Sequence, residues 1–316
     1  MDLTLLICTR NNAHLLDRAL ESVARQVLPS DAGVEVLVVA NRCTDATAEV
    51  ARRWGESGRI PRLRYVSERR SGIAPARRRG LRESHGRLIG FVDDDCLLAP
   101  DWVTRALTFA EENPRAGAFG GRNDLLWAQP PTPLADLYGE SLARQDLGAE
   151  ARRMPIRGWR MPVGAGLVVR REAVVDSGWI ERGVLRGRRS RTLSAGEDAE
   201  ISLRILRAGW EVWYSPDLQL RHLIPADRMG LAYLRRLHRG FGRAEALLRA
   251  LALSPQPRPR LDALAWSLRE VMEVLQRYPE GYVRFVTERP TWLIRLSYAR
   301  GCVEGAVRLS WRGPVP

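Results

Sequence analysis

Leu88-Ile89-Gly90-Phe91-Val92-Asp93-Asp94-Asp95 sets an apolar run against three adjacent carboxylates. Residues 88–92 carry no charge and fit a strand buried on both faces. The three acids that follow repel one another, and a folded chain keeps such a group where positive charge meets it. Asp93 and Asp95 are two residues apart, so an extended backbone points them to the same side. Their hard oxygens suit Mg²⁺ or Mn²⁺, and a divalent cation carrying a diphosphate is the natural guest. The plain alternative is a solvated acidic turn after a strand.

Upstream of the triplet, strands and helices alternate. Residues 3–8, 34–39, 63–66 and 88–92 read as short apolar strands, and 13–27, 44–54 and 74–84 as helices between them. Thr44 or Asp45 is the expected N-terminus of the second helix. Such alternation implies a mostly parallel sheet covered on both faces, with ligands at the carboxyl ends of the strands. Thr9-Arg10-Asn11, Asn41 and Asp93–Asp95 fall at those ends.

Downstream, residues 101–113 read as a helix and 116–119 as a strand. Residues 121–160 read as irregular, with Pro130, Pro131 and Pro133 marking a loop. Residues 163–170 read as a strand in which Gly164 and Gly166 permit close approach to a ligand. The Arg-, Gly- and Ser-rich segment 183–195 reads as a mobile loop, residues 197–208 as a helix and 211–214 as a strand. After Pro225 the chain turns helical, at about 228–252, 260–277 and 291–310, with Pro255, Pro257 and Pro259 as a linker. These patterns divide the chain into a catalytic α/β domain at 1–225 and a helical region at 226–316.

The chain has 316 residues, enough to bury a large core as one domain or two. Its formal charge is +13, and all 50 basic residues are arginine. That balance attracts polyanions in general, whether nucleotide sugars, anionic lipid surfaces or nucleic acid. The arginines are spread along the chain, which favours solvated faces and ion pairs for most. Cys8, Cys43, Cys96 and Cys302 are scattered without a C-x-x-C pair and read as reduced thiols. No run of eighteen apolar residues predicts a membrane span. The acidic start Met1-Asp2 lacks a signal-peptide pattern, so the expected location is cytoplasmic, with room for peripheral contact at the inner face of the cell membrane.

Three further segments carry chemistry. Asn41-Arg42-Cys43-Thr44-Asp45-Ala46-Thr47 places polar groups at a strand-to-helix turn, where they can hold a nucleoside or simply cap the helix. Gly72 to Gly80 includes Arg77-Arg78-Arg79, and an arginine near a helix start can grip a diphosphate bidentately. Glu197-Asp198 opens a helix, a position that suits an anionic general base as well as an ordinary cap. His222 follows 24 residues after Asp198 and can add a nitrogen ligand to the same cation.

Together these segments resemble the family 2 glycosyltransferases, which adopt the GT-A fold. The resemblance covers about residues 2–225 and rests on five motifs in order. Leu5 to Asn11 resembles the opening strand and nucleotide loop. Asn41 to Thr47 resembles the Asp-Asn-x-Ser-Thr-Asp-x-Thr turn, with Ala40 where the family has a nucleobase-reading aspartate and Cys43 where it has serine. Gly72 to Gly80 resembles the Gly-x-x-x-Ala-Arg-Asn-x-Gly segment, with Arg77 on the arginine and Arg78 in place of asparagine. Asp93–Asp95 resembles the metal-binding Asp-x-Asp. Glu197-Asp198 resembles the Glu-Asp motif of the catalytic base, and His222 the late histidine near the metal.

The resemblance implies an inverting transfer of a sugar from a nucleoside diphosphate sugar to an acceptor hydroxyl, in polysaccharide or glycolipid synthesis. A UDP-sugar is the leading donor, with GDP- and dTDP-sugars as alternatives. It implies Mn²⁺ or Mg²⁺ on Asp95, Asp93 and His222, and a donor held by Thr9, Arg10, Asn11, Asn41, Arg77, Asp93 and Asp94. Asp198 is the implied base and Glu197 the runner-up. The segment 183–195 is expected to close over the donor. The acceptor is a glycan or a lipid-linked sugar, an oligomer is allowed, and no nucleic acid is expected.

Two rivals stand beside this reading. A nucleotidyltransferase would show a glycine-rich, arginine-containing loop after the first strand, where this chain has Thr9-Arg10-Asn11-Asn12. A basic nucleic-acid-binding protein would explain the charge and the segment Tyr233 to Arg239, but leaves the acidic triplet and Glu197-Asp198 without a role. Leu231, Leu234, Leu237 and Phe241 recur at helical spacing and read as a core-facing stripe in preference to a membrane-surface face.

Overall fold

The computed structural model describes residues 1–155, 161–185, 187, 193, 195–253, 259–276 and 282–310. The first half alternates as expected: β1 (Leu3–Thr9), α1 (Ala13–Ala24), β2 (Val34–Asn41), α2 (Thr47–Glu56), β3 (Leu63–Glu68), α3 (Ile73–Glu83) and β4 (Leu88–Asp93). Then come β5 (Cys96–Leu98), α4 (Trp102–Glu112), β6 (Ala116–Trp127), α5 (Pro133–Leu137), β7 (Arg152–Arg153), β8 (Val168–Arg170), α6 (Arg171–Ser177) and α7 (Trp179–Arg182). The chain continues through α8 (Glu197–Arg207), β9 (Glu211–Ile224), α9 (Leu231–Leu253), α10 (Pro259–Gln276) and α11 (Tyr282–Ser310).

The strands form one sheet in the order β3-β2-β1-β4-β8-β6-β9-β5, with β7 also on β9. β1, β2, β3 and β4 run parallel. β8 is antiparallel to β4 and to β6. Strand order reverses at β1, whose successors lie to one side and β4 to the other, so a crevice opens at the ends of β1 and β4.

Alternate side chains of the parallel strands feed two cores. Leu6, Cys8, Leu37 and Val39 face α3, α8 and α9, whereas Leu3, Leu5, Ile7, Val36 and Val38 face α1, α2 and α4. Each leucine so buried contributes roughly 1.5–3 kcal/mol. Gly80 sets the approach of α3 to the sheet, because a Cβ there would lie 2.3 Å from Leu6 Cδ1. Any larger residue would have to displace the buried Leu6 side chain or lift α3, which carries Arg77 one turn earlier, from β1.

Several elements differ from the sequence-based expectation. β6 runs on to Trp127 and β9 to Ile224 as a parallel pair. Their register slips at Gly121, whose bare Cα admits the Leu218 carbonyl, and Pro216 sits in the skipped stretch of β9 where no ladder N–H is needed. Only Val168–Arg170 of 163–170 is a strand. Upstream of it Gly166 takes a positive φ of 78° and bonds to Phe91. α2 starts at Thr47, since the Asp45 carboxylate accepts from the Thr47 N–H. α11 runs through Pro290 rather than starting after it. Pro259 is the first residue of α10, a favoured place for proline. Pro255, Pro257 and residues 186, 188–192 and 194 of the expected loop lie outside the described residues.

The stripe on α9 faces inward: Leu234 and Leu237 are fully buried, with Leu231 and Phe241 packed against the same cluster as Ile294 of α11. No helix among the described residues is long and apolar enough to cross a membrane.

Candidate active site

The acidic triplet ends β4 and turns directly into β5. That short strand pairs antiparallel with β9, with Cys96 opposite His222, and the Leu223 N–H donates to the Asp95 carbonyl at 2.8 Å. This register carries His222 across more than a hundred residues of chain to Asp95.

Each carboxylate of the triplet meets a different partner. Asp93, about a third exposed, faces Arg77, whose Nη2 lies 3.4 Å from Oδ1. Asp94 accepts from the Thr9 hydroxyl at 2.6 Å and the Asn12 amide at 3.1 Å. Burial and the neighbouring Asp95 charge push the Asp94 carboxyl up to about 7, against the pull of those hydrogen bonds. Asp95 is buried between His222, with Nε2 3.2 Å from Oδ1, and Arg228, with Nη1 2.9 Å from Oδ2.

Arg77 is the pivot between β4 and α8. It is buried, stacks over Phe91 at 4.8 Å, and also reaches Glu197 Oε1 at 3.3 Å and the Gly164 carbonyl at 3.4 Å. Burial disfavours its charge, but Glu197 and Asp93 outweigh that and raise its proton affinity further. Glu197 and Asp198 sit at the N-terminus of α8, behind Gly196 in a positive-φ cap. Asp198 accepts from the Gly164 N–H at 2.8 Å through Oδ2 and from the Ala199 N–H at 2.9 Å through Oδ1.

These groups line a cavity of ≈ 540 Å³, the size of a small-molecule site. Of the residues named from sequence, Thr9, Arg10, Asn41, Arg77, Asp93, Asp94, Asp95, Glu197, Asp198 and His222 all line it. Asn11 does not. Its backbone is left-handed, with φ 53°, and its amide oxygen accepts from the Thr44 N–H at 2.8 Å, so it ties the β1 loop to the β2 turn and Asn12 turns inward instead. Asn41 lines the wall, yet its amide is committed to the β3–α3 loop through the Gly72 N–H and the Arg70 carbonyl, at 2.9 and 2.7 Å. Arg10 donates to Ser71 at 3.0 Å.

The sequence reading missed Asn12, Arg228 and the contribution of α9. Tyr233, Phe241, Ala244 and Leu248 of α9 also line the cavity. Their helical spacing carried an inward-facing signal, but nothing in it named the neighbour. Arg228, six residues after His222, carried no motif.

The donor set fits a divalent cation. Asp95 and His222 offer a hard oxygen and an imidazole nitrogen, and among the described residues they group with Cys96 within 4.8 Å. The His222 Nδ1 lies 3.0 Å from the Leu142 carbonyl, so a proton donated there leaves Nε2 as the ligating nitrogen. Burial pulls the His222 ring down, but Asp95 and Asp93 outweigh it and the net shift is upward. Burial pushes the Cys96 thiol well up, which keeps it protonated and a poor ligand for a hard cation.

Residues 4–176 match the model of glycosyl transferase family 2. Over 241 residues the chain is 27% identical to the succinoglycan biosynthesis protein ExoM of Rhizobium meliloti (strain 1021), covering 72% of this chain and 69% of that protein. Other curated glycosyltransferases match about a third of the chain, and the matched stretch spans 14% to 34% of their own length. Among solved structures, mannosyltransferase PcManGT from Pyrobaculum calidifontis, in complex with GDP-Man and Mn²⁺, superposes with a TM-score of 0.61 at 20% identity, covering 98% of this chain and 87% of that one. S. aureus TarS 1-349, in complex with UDP-GlcNAc, gives 0.56 at 14% identity, covering 99% and 93%. The architecture these share is the GT-A fold, a mixed and mostly parallel sheet flanked by helices.

Proposed function

The chain belongs to glycosyl transferase family 2, and we propose that it transfers a sugar from a nucleoside diphosphate sugar to an acceptor hydroxyl with inversion, in building a polysaccharide or glycolipid. The observation that carries this reading is the meeting of Asp93–Asp95, His222, Arg77 and Glu197-Asp198 at one cavity. Asp95 and His222 would hold Mn²⁺ or Mg²⁺, with Asp93 on the same rim. When bound, the cation would supply Lewis-acid neutralisation of the leaving diphosphate. PcManGT with GDP-Man and Mn²⁺ and TarS with UDP-GlcNAc support a nucleotide-sugar donor and a divalent cation without choosing the base.

In this proposal Thr9, Asn12 and Asp94 shape the donor floor and Arg10 flanks it. Asp198 takes the proton of the acceptor hydroxyl. Its carboxylate is oriented by two backbone N–H groups, one on each oxygen. Glu197 belongs to Arg77 and positions it. Residues 1–225 would carry the cation and most of the donor site, and residues 226–316, through α9, the acceptor side.

Asp198→Asn tests the assignment. The expected result is a loss of kcat of roughly 10²–10⁴-fold with donor binding unchanged. NMR of the product should show the opposite anomer to the donor. Full activity in Asp198→Asn would move the base to Glu197, and retention of configuration would end the single-displacement reading.

A further inference from the structure

Two arginines reach the acidic triplet, and they are held differently. Arg77 is pinned by Glu197, Asp93, the Gly164 carbonyl and the Phe91 ring. Arg228 reaches in from the short turn Ala226–Arg228 that links β9 to α9, keeps about a fifth of its side chain exposed to the cavity, and donates to Asp95 Oδ2 at 2.9 Å. It stands on the same carboxylate that the cation would need.

We propose that Arg228 is a tethered counter-ion of Asp95 that a divalent cation displaces, after which its guanidinium grips the donor's diphosphate. The inference rests on the cation and diphosphate reading of the cavity given above. A cation ligated by Asp95 would sit about 2 Å from its oxygen, within a few ångströms of the guanidinium nitrogen, and the two positive groups repel at that range. A free cation held between Asp95 Oδ1 and His222 Nε2 competes with Arg228, which holds Oδ2, for the same carboxylate charge and weakens that pair. A cation arriving with a nucleoside diphosphate brings new anionic oxygens to the same place. A guanidinium recognises such oxygens bidentately, so the arginine exchanges one anion for another. Arg228 thus resists the metal alone and favours the metal with the diphosphate, which couples the two ligands. Its place on the turn before α9 also ties that exchange to a helix that lines the cavity.

The test measures two affinities in the full chain. Free Mn²⁺ is followed by electron paramagnetic resonance in nucleotide-free protein, and UDP and GDP binding by calorimetry at saturating Mn²⁺. The proteins compared are wild type, Arg228→Met and Arg228→Lys. Arg228→Met should bind Mn²⁺ alone about tenfold tighter and the nucleoside diphosphate about tenfold weaker. Arg228→Lys keeps the charge without the fork and should shift both in the same directions by about threefold. Opposite signs separate this role from structural damage, which weakens both affinities. Weaker or unchanged Mn²⁺ binding in both variants overturns the counter-ion role, and unchanged diphosphate binding overturns the grip. Where wild type binds Mn²⁺ with a diphosphate and the variants fail these signs, this inference alone falls. A wild type that binds neither ligand defeats the reading beneath it as well.

Discussion

Arg77→Met should destabilise the protein by about 3 kcal/mol, because it strips a buried carboxylate of its counter-charge. Arg77 and Glu197 are both buried, with Nη1 and Oε1 3.3 Å apart. At an effective dielectric constant near 20, that separation gives a Coulomb attraction of about 5 kcal/mol, part of which only offsets the desolvation of the two groups. The Asp93 contact adds little, since that carboxylate is about a third exposed and screened. The remaining loss falls on Glu197 and on the stack with Phe91. In a chain of 316 residues it corresponds to a drop of roughly 4–5 °C in thermal midpoint. The assay is differential scanning calorimetry on Arg77→Met, Glu197→Gln and the double variant. If the uncompensated carboxylate is the cause, the double variant should recover at least about 1 kcal/mol of the single loss. A midpoint for Arg77→Met within 1 °C of wild type would refute the reasoning, and strictly additive losses would assign the effect to packing.

The pH dependence of stability carries two more expectations. Asp94 holds its proton up to about 7 in the folded state, against 3.8 in a free side chain, so the stability it contributes is full below about 4 and is lost as pH rises through about 7. Asp94→Asn should therefore gain thermal midpoint over wild type at pH 8 in chelator and match it near pH 4; superimposable pH profiles would count against the buried-carboxyl account. His238 lies between the rings of Tyr138 and Phe241, and burial pulls it down to about 4 from 6.5. Its unfolded form takes a proton first, so stability is full above about 6.5 and is lost as pH falls toward 4, by up to about 3 kcal/mol. His238→Phe should flatten that acid limb in urea melts, and an unchanged slope between pH 7 and 4 would contradict it.

The parallel half was legible because its strands are buried on both faces and therefore read as unbroken apolar runs, as in 3–8 and 88–92. The site residues on those strand ends were legible for the same reason. What escaped was pairing at a distance. β5 is three residues long and carries no periodicity, yet its register with β9 brings His222 to Asp95. The second half of β9 alternates clearly, with Leu218, Leu220 and His222 in and Asp217, Gln219 and Arg221 out, but the register slip around Pro216 separates it from the expected strand 211–214. Asn11 and Asn12 are adjacent and chemically alike, and only a left-handed φ decides which one faces the cavity. Arg228 and α9 reach the site through a turn whose direction no local pattern encodes.

The central claim is that Asp95 with His222 binds a divalent cation carrying a nucleoside diphosphate. The most direct measurement is a thermal-shift screen of UDP, GDP, CDP and dTDP, each with and without Mn²⁺, on wild type and Asp95→Ala. At least one nucleotide should give a shift that requires Mn²⁺ and vanishes in Asp95→Ala, with about 2.7 kcal/mol of added stability at a hundredfold excess over Kd. No shift for any nucleotide at millimolar concentration, or a shift that survives Asp95→Ala, would contradict it.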